Sequence, residues 1–240
     1  MTTQVPLVVI VGGGFGGPAA AKGLKRSFVN VLLIDRSNHH VFQPLLYQVA
    51  TSVLAPGQIA SAIRGLLAEQ KNTSVMLGNV TGVDAVSRQV IVDPNDKCGL
   101  KISYDYLILA TGANHSYFGH DEFGAFAPGL KSLADAEALR NHILEVFEKA
   151  EIEDDPERRQ ALLTFVMVGA GPTGVEIASA IAVMARTTMR RDFRIRRPLT
   201  SFLLMWECAH LPHFPRRSPR QRRGGLQSLG SMSVWVSLRK

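Results

Sequence analysis

Residues 7–11 (LVVIV) are apolar at every position and stop at Gly12. A run without polar alternation reads as a parallel strand buried on both faces. A helix is expected over about residues 16–27, followed by a second strand, VLLID, at residues 31–35. Together they predict a right-handed βαβ unit, the start of a doubly wound sheet. Residues 39–64 are irregular around Pro44 and Pro56, then helical. The short runs SVMLGNV and RQVIVD predict a β-meander, and YDYLILA a buried strand. A helix is signalled from Ser132, where Asp135 stands at capping-box spacing and Leu139, Ile143, Val146 and Phe147 share one face. The acidic, proline-containing stretch EIEDDPERR reads as a linker.

The opening pattern then returns as TFVMV (strand), GAGPTG (glycine turn), VEIASAIAVMA (helix) and SFLLMWE (strand). The two glycine turns, at Gly12 and Gly169, lie 157 residues apart. That spacing marks duplication of a fold unit and is far too long for a solenoid period. The expected class is α/β, with tandem Rossmann-like dinucleotide-binding domains, the first carrying a β-meander. The expected divisions are a first dinucleotide-binding domain at 1–130, a connecting helix and acidic linker at 131–160, the start of a second dinucleotide-binding domain at 161–207 and a basic tail at 208–240.

Both turns have the spacing that dinucleotides require. In the first, Gly12 permits the tight turn, Gly14 lets a pyrophosphate approach bare backbone, and Gly17 lets the helix pack on the strand. Asp35, 18 residues beyond Gly17, is placed to accept hydrogen bonds from an adenosine ribose. Pro18 falls in the helix's first turn, where its missing N–H matters little. The second turn is Gly169, Gly171 and Gly174. Its candidate ribose acid is Glu207, 33 residues beyond Gly174, and a carboxylate there favours NAD over NADP by repelling a 2′-phosphate. The alternative is an ordinary strand-end glutamate. Glu176, at the start of the second helix, reads either as a site residue or as a complement to the helix dipole. Two dinucleotide sites on one chain suit hydride transfer from a nicotinamide to a flavin, with the protein supplying alignment and exclusion of water. His39, His40, His115 and His120 lack metal-ligand spacing and read as loop residues.

The 240 residues are 46% hydrophobic and 20% charged, which argues against general disorder. The two cysteines, Cys98 and Cys208, build no disulfide framework, four-thiolate metal site or CxxC dithiol. The N-terminus lacks a basic signal-peptide region, and no apolar stretch approaches a bilayer span. The expected location is therefore the cytoplasm, with surface attachment open. The net charge of +7 is uneven. Residues 1–192 hold 17 Lys and Arg against 19 acids, and residues 193–240 hold 10 against one. The Arg, Ser, Pro and Gly enrichment of RRSPRQRRGG is the composition of GC-rich DNA read out of frame. The rival reading is a basic arm for an anionic membrane or nucleic acid. Nucleic acid is not expected, since no aromatic interleaving or recognised motif accompanies the charge.

VVIVGGGFGG, NHHVFQPLLYQVAT, YDYLILATGA and VMVGAGPTGVEIASAI together resemble the two-dinucleotide-domain flavoproteins related to the pyridine nucleotide-disulfide oxidoreductases. Within them the chain is similar to type II (non-electrogenic) NADH dehydrogenases, FQPLLYQVA being the discriminating piece. The resemblance covers residues 5–192. It implies an NADH:quinone oxidoreductase that passes hydride from NADH to FAD and two electrons to a quinone, at the cytoplasmic face of the inner membrane as a peripheral protein. An oligomer is compatible with it. By position, Gly12, Gly14, Gly17 and Asp35 would hold the FAD pyrophosphate and adenosine, and Val80 would touch adenine through its backbone. Ala110, Thr111 and Gly112 would close over the flavin's phosphates, while Gln43, Pro44 and Gln48 would lie beside the flavin ring. Glu176 would sit near the flavin–nicotinamide contact, and Glu176 and Gln48 are the catalytic candidates. Leu45, Leu46 and Tyr47 read equally as core packing. FQPLLYQ has no cysteine, which separates the chain from the disulfide reductases, and the chain does not supply the catalytic cysteines that sulfide:quinone oxidoreductases need. The family's enzymes continue further, with the rest of the NAD domain, a return to the FAD domain and amphipathic membrane helices. The alternative expectation is thus a truncated, inactive nucleotide-binding remnant.

Overall fold

The computed structural model describes residues 4–94, 99–117, 121–168, 171–193, 202–205 and 235–238. Gly169, Glu207, His120 and both cysteines lie outside the described residues. The chain divides into two compact units, residues 1–42 with 57–114, and residues 43–56 with 115–240.

In chain order the first elements are β1 (Leu7–Val11), α1 (Gly16–Gly23), β2 (Asn30–Asp35) and β3 (His39–Val41). Next come α2 (Leu46–Ala50), α3 (Pro56–Ile59), β4 (Ala60–Ala62) and α4 (Ile63–Leu66). The strands β5 (Thr73–Leu77), β6 (Asn79–Asp84), β7 (Gln89–Asp93), β8 (Leu100–Ser103) and β9 (Tyr106–Leu109) follow. The later elements are α5 (Leu133–Ile152), α6 (Pro156–Leu162), β10 (Phe165–Val168), α7 (Pro172–Met184), α8 (Arg190–Asp192), β11 (Phe202–Met205) and β12 (Trp235–Leu238).

The first unit is built on a four-stranded sheet of order β5-β2-β1-β9, parallel throughout. Alternate residues of β1 serve opposite faces. Val8 and Ile10 pack with Val31, Leu33, Ala21, Ile63 and Leu67 on the side covered by α1 and α4. Val9 and Val11 pack with Ile34, Val90 and Val92 on the side covered by the antiparallel sheet β6-β7-β8. Burial of both faces is what a continuous apolar strand requires.

Three sequence expectations shift here. SVMLGNV is not one meander strand, because Gly78 divides it. β5 joins the parallel sheet, the Gly78 N–H bonds the Asp35 carbonyl at 2.9 Å, and β6 starts the meander, completed by the unanticipated β8. YDYLILA forms an edge strand, with Tyr106 and Leu109 exposed. Helix α1 ends four residues early, at Gly23. There the Gln70 amide donates to the Ala21 carbonyl (2.6 Å) and the Asn72 amide to the Leu24 carbonyl (3.1 Å), satisfying carbonyls that a longer helix would use.

In the second unit, α5 begins as anticipated. Ser132 Oγ accepts from the Asp135 N–H (3.1 Å), and Asp135 Oδ2 accepts from the Ser132 N–H (2.8 Å). Leu139, Ile143, Val146 and Phe147 are buried, and the Phe147 ring lies 6.0 Å from that of Phe165 on β10. Much of the expected linker is helical. Asp155 caps α6 through the Glu157 N–H, and Pro156 occupies its first turn. Strand β10 lies between β11, parallel, and β12, antiparallel, so Trp235–Leu238 of the basic tail adds a strand to this sheet. Residues 43–56 belong here because α2 buries Leu46, Val49 and Ala50 and packs against α5 and α7.

Candidate functional site

Strand order in the first sheet reverses direction at β1. From β1 the chain builds β2 and β5 on one side, and later returns to place β9 on the other. Open α/β sheets bind ligands beyond the carboxyl ends of the strands at such a point. Gly12 and Ala110 are the residues immediately after β1 and β9. The Gly12 N–H donates to the Ile34 carbonyl and the Ala110 N–H to the Val11 carbonyl, both at 2.8 Å.

The glycines of this turn do different work. Gly12 has φ +111°, and a Cβ there would run into the Ala110 carbonyl. Gly17 is buried, and a Cβ there would run into the Gly12 carbonyl oxygen. Gly14 is exposed, and a Cβ built on it meets nothing within 4 Å. Helix α1 starts beside this open face with no side-chain cap and no acid in its first turn. Its amides are left for a ligand, and the uncapped helix dipole favours an anion. A bare backbone face at an uncapped helix start, with Thr111 and Gly112 exposed after the neighbouring strand, fits the pyrophosphate of a dinucleotide.

Asp35 has more partners than its sequence position suggests. Its Oδ2 accepts the Gly13 N–H at 2.5 Å. Its Oδ1 accepts the Ser37 N–H at 2.6 Å and the Ser37 hydroxyl at 2.7 Å. A carboxylate offers about four acceptor sites, so one on Oδ2 is left for a ribose hydroxyl. The unanticipated neighbour is His40 on β3, whose Nδ1 lies 3.1 Å from the Gly13 carbonyl oxygen. Phe15, inside the glycine turn, meets the His40 ring edge-on at 5.1 Å and the Phe42 ring at 5.7 Å. Only the neighbouring acid hinted at these contacts in the sequence. Val80, on β6, pairs with Val92, and its side chain joins the core between sheet and meander.

The second unit carries the other candidates. Gln43 and Pro44 are exposed in a 3₁₀ turn (Gln43–Leu45) that leads into α2. Gln48 is half-buried on α2, and its amide donates to the Tyr47 hydroxyl at 3.0 Å. Leu46 is buried, so the packing reading holds for it. Gly171 precedes α7 as its cap residue and Pro172 opens the helix, again with no side-chain cap and no acid in the first turn. Gly171 and Gly174 are buried, whereas Glu176 is exposed. Glu176 thus stands beyond the first turn, which removes the helix-dipole reading given to it above. Because α2 packs on α7, the structure brings together the helices bearing Gln48 and Glu176.

Comparison with known proteins gives a consistent relationship. The chain is 48% identical over 225 residues to the type II NADH:quinone oxidoreductase Ndh of Mycobacterium tuberculosis, covering 93% of this chain and 48% of that protein. It is 45% identical over 231 residues to NdhA of the same organism, covering 96% of this chain and 49% of that protein. The chain therefore spans about half the length of the curated relatives it matches. Among solved structures, NDH2 from Plasmodium falciparum superposes with a TM-score of 0.74 at 25% identity, over 79% of this chain and 39% of that one. Residues 6–201 match the sequence profile of the pyridine nucleotide-disulphide oxidoreductases, and the chain belongs to that family.

Proposed function

We propose that this chain carries the FAD-binding and NADH-binding parts of an NADH:quinone oxidoreductase. The observation that carries the reading is the open face at Gly14, set beside the uncapped start of α1 at the reversal point of a parallel sheet. The two mycobacterial relatives, named as NADH:quinone oxidoreductases, support the nicotinamide and quinone assignments.

In this proposal Gly12, Gly14 and Gly17 form the pyrophosphate cradle, and Asp35 both fixes the turn and takes a ribose hydroxyl. Ala110, Thr111 and Gly112 close over the phosphates, and the Val80 backbone meets the adenine. Gln43 and Gln48 serve the flavin ring. Gly169, Gly171 and Gly174 take the nicotinamide dinucleotide, with Glu207 on its ribose and Glu176 near the flavin–nicotinamide contact. Bound FAD would supply a two-electron relay, with hydride arriving from NADH and electrons leaving to a quinone. The residues' own task is to hold the nucleotide, orient it and keep water out. No helix among the described residues is long and apolar enough to cross a membrane. Peripheral attachment to the cytoplasmic face of the inner membrane belongs to the same proposal, since a bilayer-dissolved quinone must be met there.

The purified chain is expected to be yellow, to bleach anaerobically on addition of NADH, and to regain colour when a quinone is added. A folded but colourless protein that takes up no FAD would overturn the reading. Bleaching without recovery would remove the quinone from it.

A further inference from the structure

We infer that His40 is a positioning residue that sets the direction of the Gly14 amide in the first glycine turn. The inference rests on the dinucleotide reading of that turn. The geometry of one peptide unit carries it. The Gly13 carbonyl oxygen lies 3.1 Å from His40 Nδ1. A carbonyl only accepts, so Nδ1 is the protonated, donating nitrogen of the imidazole. The peptide joining Gly13 to Gly14 is planar and trans, with its C=O and N–H on opposite sides. Holding the Gly13 carbonyl toward His40 therefore turns the Gly14 N–H to the opposite side of that peptide. Gly14 is also the residue of the turn whose missing side chain leaves open space.

The neighbouring contacts make this a two-sided hold. Asp35 takes the Gly13 N–H, and Ser37 fixes the other carboxylate oxygen with two hydrogen bonds. The two peptide units flanking Gly13 are thus tied, one by a carboxylate and one by an imidazole. Phe15 packs edge-on against the imidazole at 88° and limits its rotation. Three consecutive glycines, Gly12 to Gly14, would otherwise leave this segment conformationally free. With the loop held in advance, a bound phosphate bears less of the ordering cost.

The test uses the full chain and two substitutions that separate the ring from its hydrogen bond. His40→Phe keeps an aromatic packed on Phe15 but has no donor, and His40→Gln keeps a donor without the ring. Amide hydrogen exchange across residues 12–17 is measured without nucleotide. Affinity is measured for ADP, which has a pyrophosphate, and for adenosine, which has none. In His40→Phe, exchange at the Gly13 amide, which Asp35 protects, should rise severalfold and ADP affinity should fall by roughly threefold to tenfold, with adenosine affinity unchanged. His40→Gln should restore most of both. Unchanged exchange in His40→Phe overturns the inference, as does an equal loss for ADP and adenosine. A rise in exchange in His40→Phe, found while the wild-type chain binds neither ADP nor FAD, upholds the clamp and overturns the dinucleotide reading instead.

Discussion

A methyl group added at Gly14 meets nothing within 4 Å, whereas one added at Gly17 runs into the Gly12 carbonyl. The same substitution should therefore fail in two different ways. Gly14→Ala should fold with a stability within about 1 kcal/mol of the parent, because the new Cβ is unopposed and the unfolded chain loses freedom. It should nonetheless weaken FAD binding by about tenfold or more, because the methyl occupies the approach to bare backbone. Gly17→Ala should cost about 2–3 kcal/mol through overpacking against backbone that has no room to yield. Chemical denaturation together with flavin titration separates the two outcomes. At this scale the geometry of the first glycine turn was legible. The glycine spacing and Asp35 are local signals, tied to a strand before and a helix after. His40 was not legible, because its partner lies 27 residues away and depends on how β3 is laid down.

A local capping signal marked α5, and its energy is testable. Ser132→Ala removes the oxygen that receives the Asp135 N–H, and should cost about 1 kcal/mol in urea denaturation. The turn after β6 is held by Asp84, whose Oδ1 accepts the Val86 and Ser87 N–H groups, each at 3.0 Å. The Ser87 backbone hydrogen bond is the main cause that holds the Asp84 carboxyl below its ordinary value of 3.8. A depressed folded pKa stabilises above the unfolded value, and that stabilisation is lost as pH falls through the folded one. Stability measured from pH 5 down to pH 2 should therefore decline less steeply in Asp84→Asn than in the parent. Element identity was harder to read where the pattern did not change. Val75, Leu77 and Val80 are apolar on both sides of Gly78, yet the strand before it lies in the parallel sheet and the strand after it in the meander. Only the Gly78 bond to the Asp35 carbonyl and the close approach of Val92 mark the break. Helix α6 was hidden for a different reason: Pro156 and the acids around it suggest a linker, but the same residues make a favourable helix start.

For the whole molecule, a ligand that binds the folded state raises stability by mass action. FAD at a hundredfold excess over its dissociation constant should add about 2.7 kcal/mol to the unfolding free energy, measured as denaturation midpoints across a flavin series. A midpoint insensitive to FAD would contradict the binding proposal. The division into units was only partly legible. The duplicated strand–glycine–helix pattern identified two Rossmann-like starts, but the allegiance of residues 43–56 to the second unit was not visible. It depends on the three buried residues of α2 finding α5 and α7, elements from much later in the chain.

That allegiance matters during synthesis. Between the end of α2 and the start of α5 lie 82 residues. At about 5–20 residues per second, a ribosome takes roughly 4–16 s to make them. Through that interval the nascent chain presents Leu46, Val49 and Ala50 with no α5 to receive them. The first unit can be translated to its last strand meanwhile, with this apolar excursion left outside it. Those three side chains meet their native partner only when the long helix emerges.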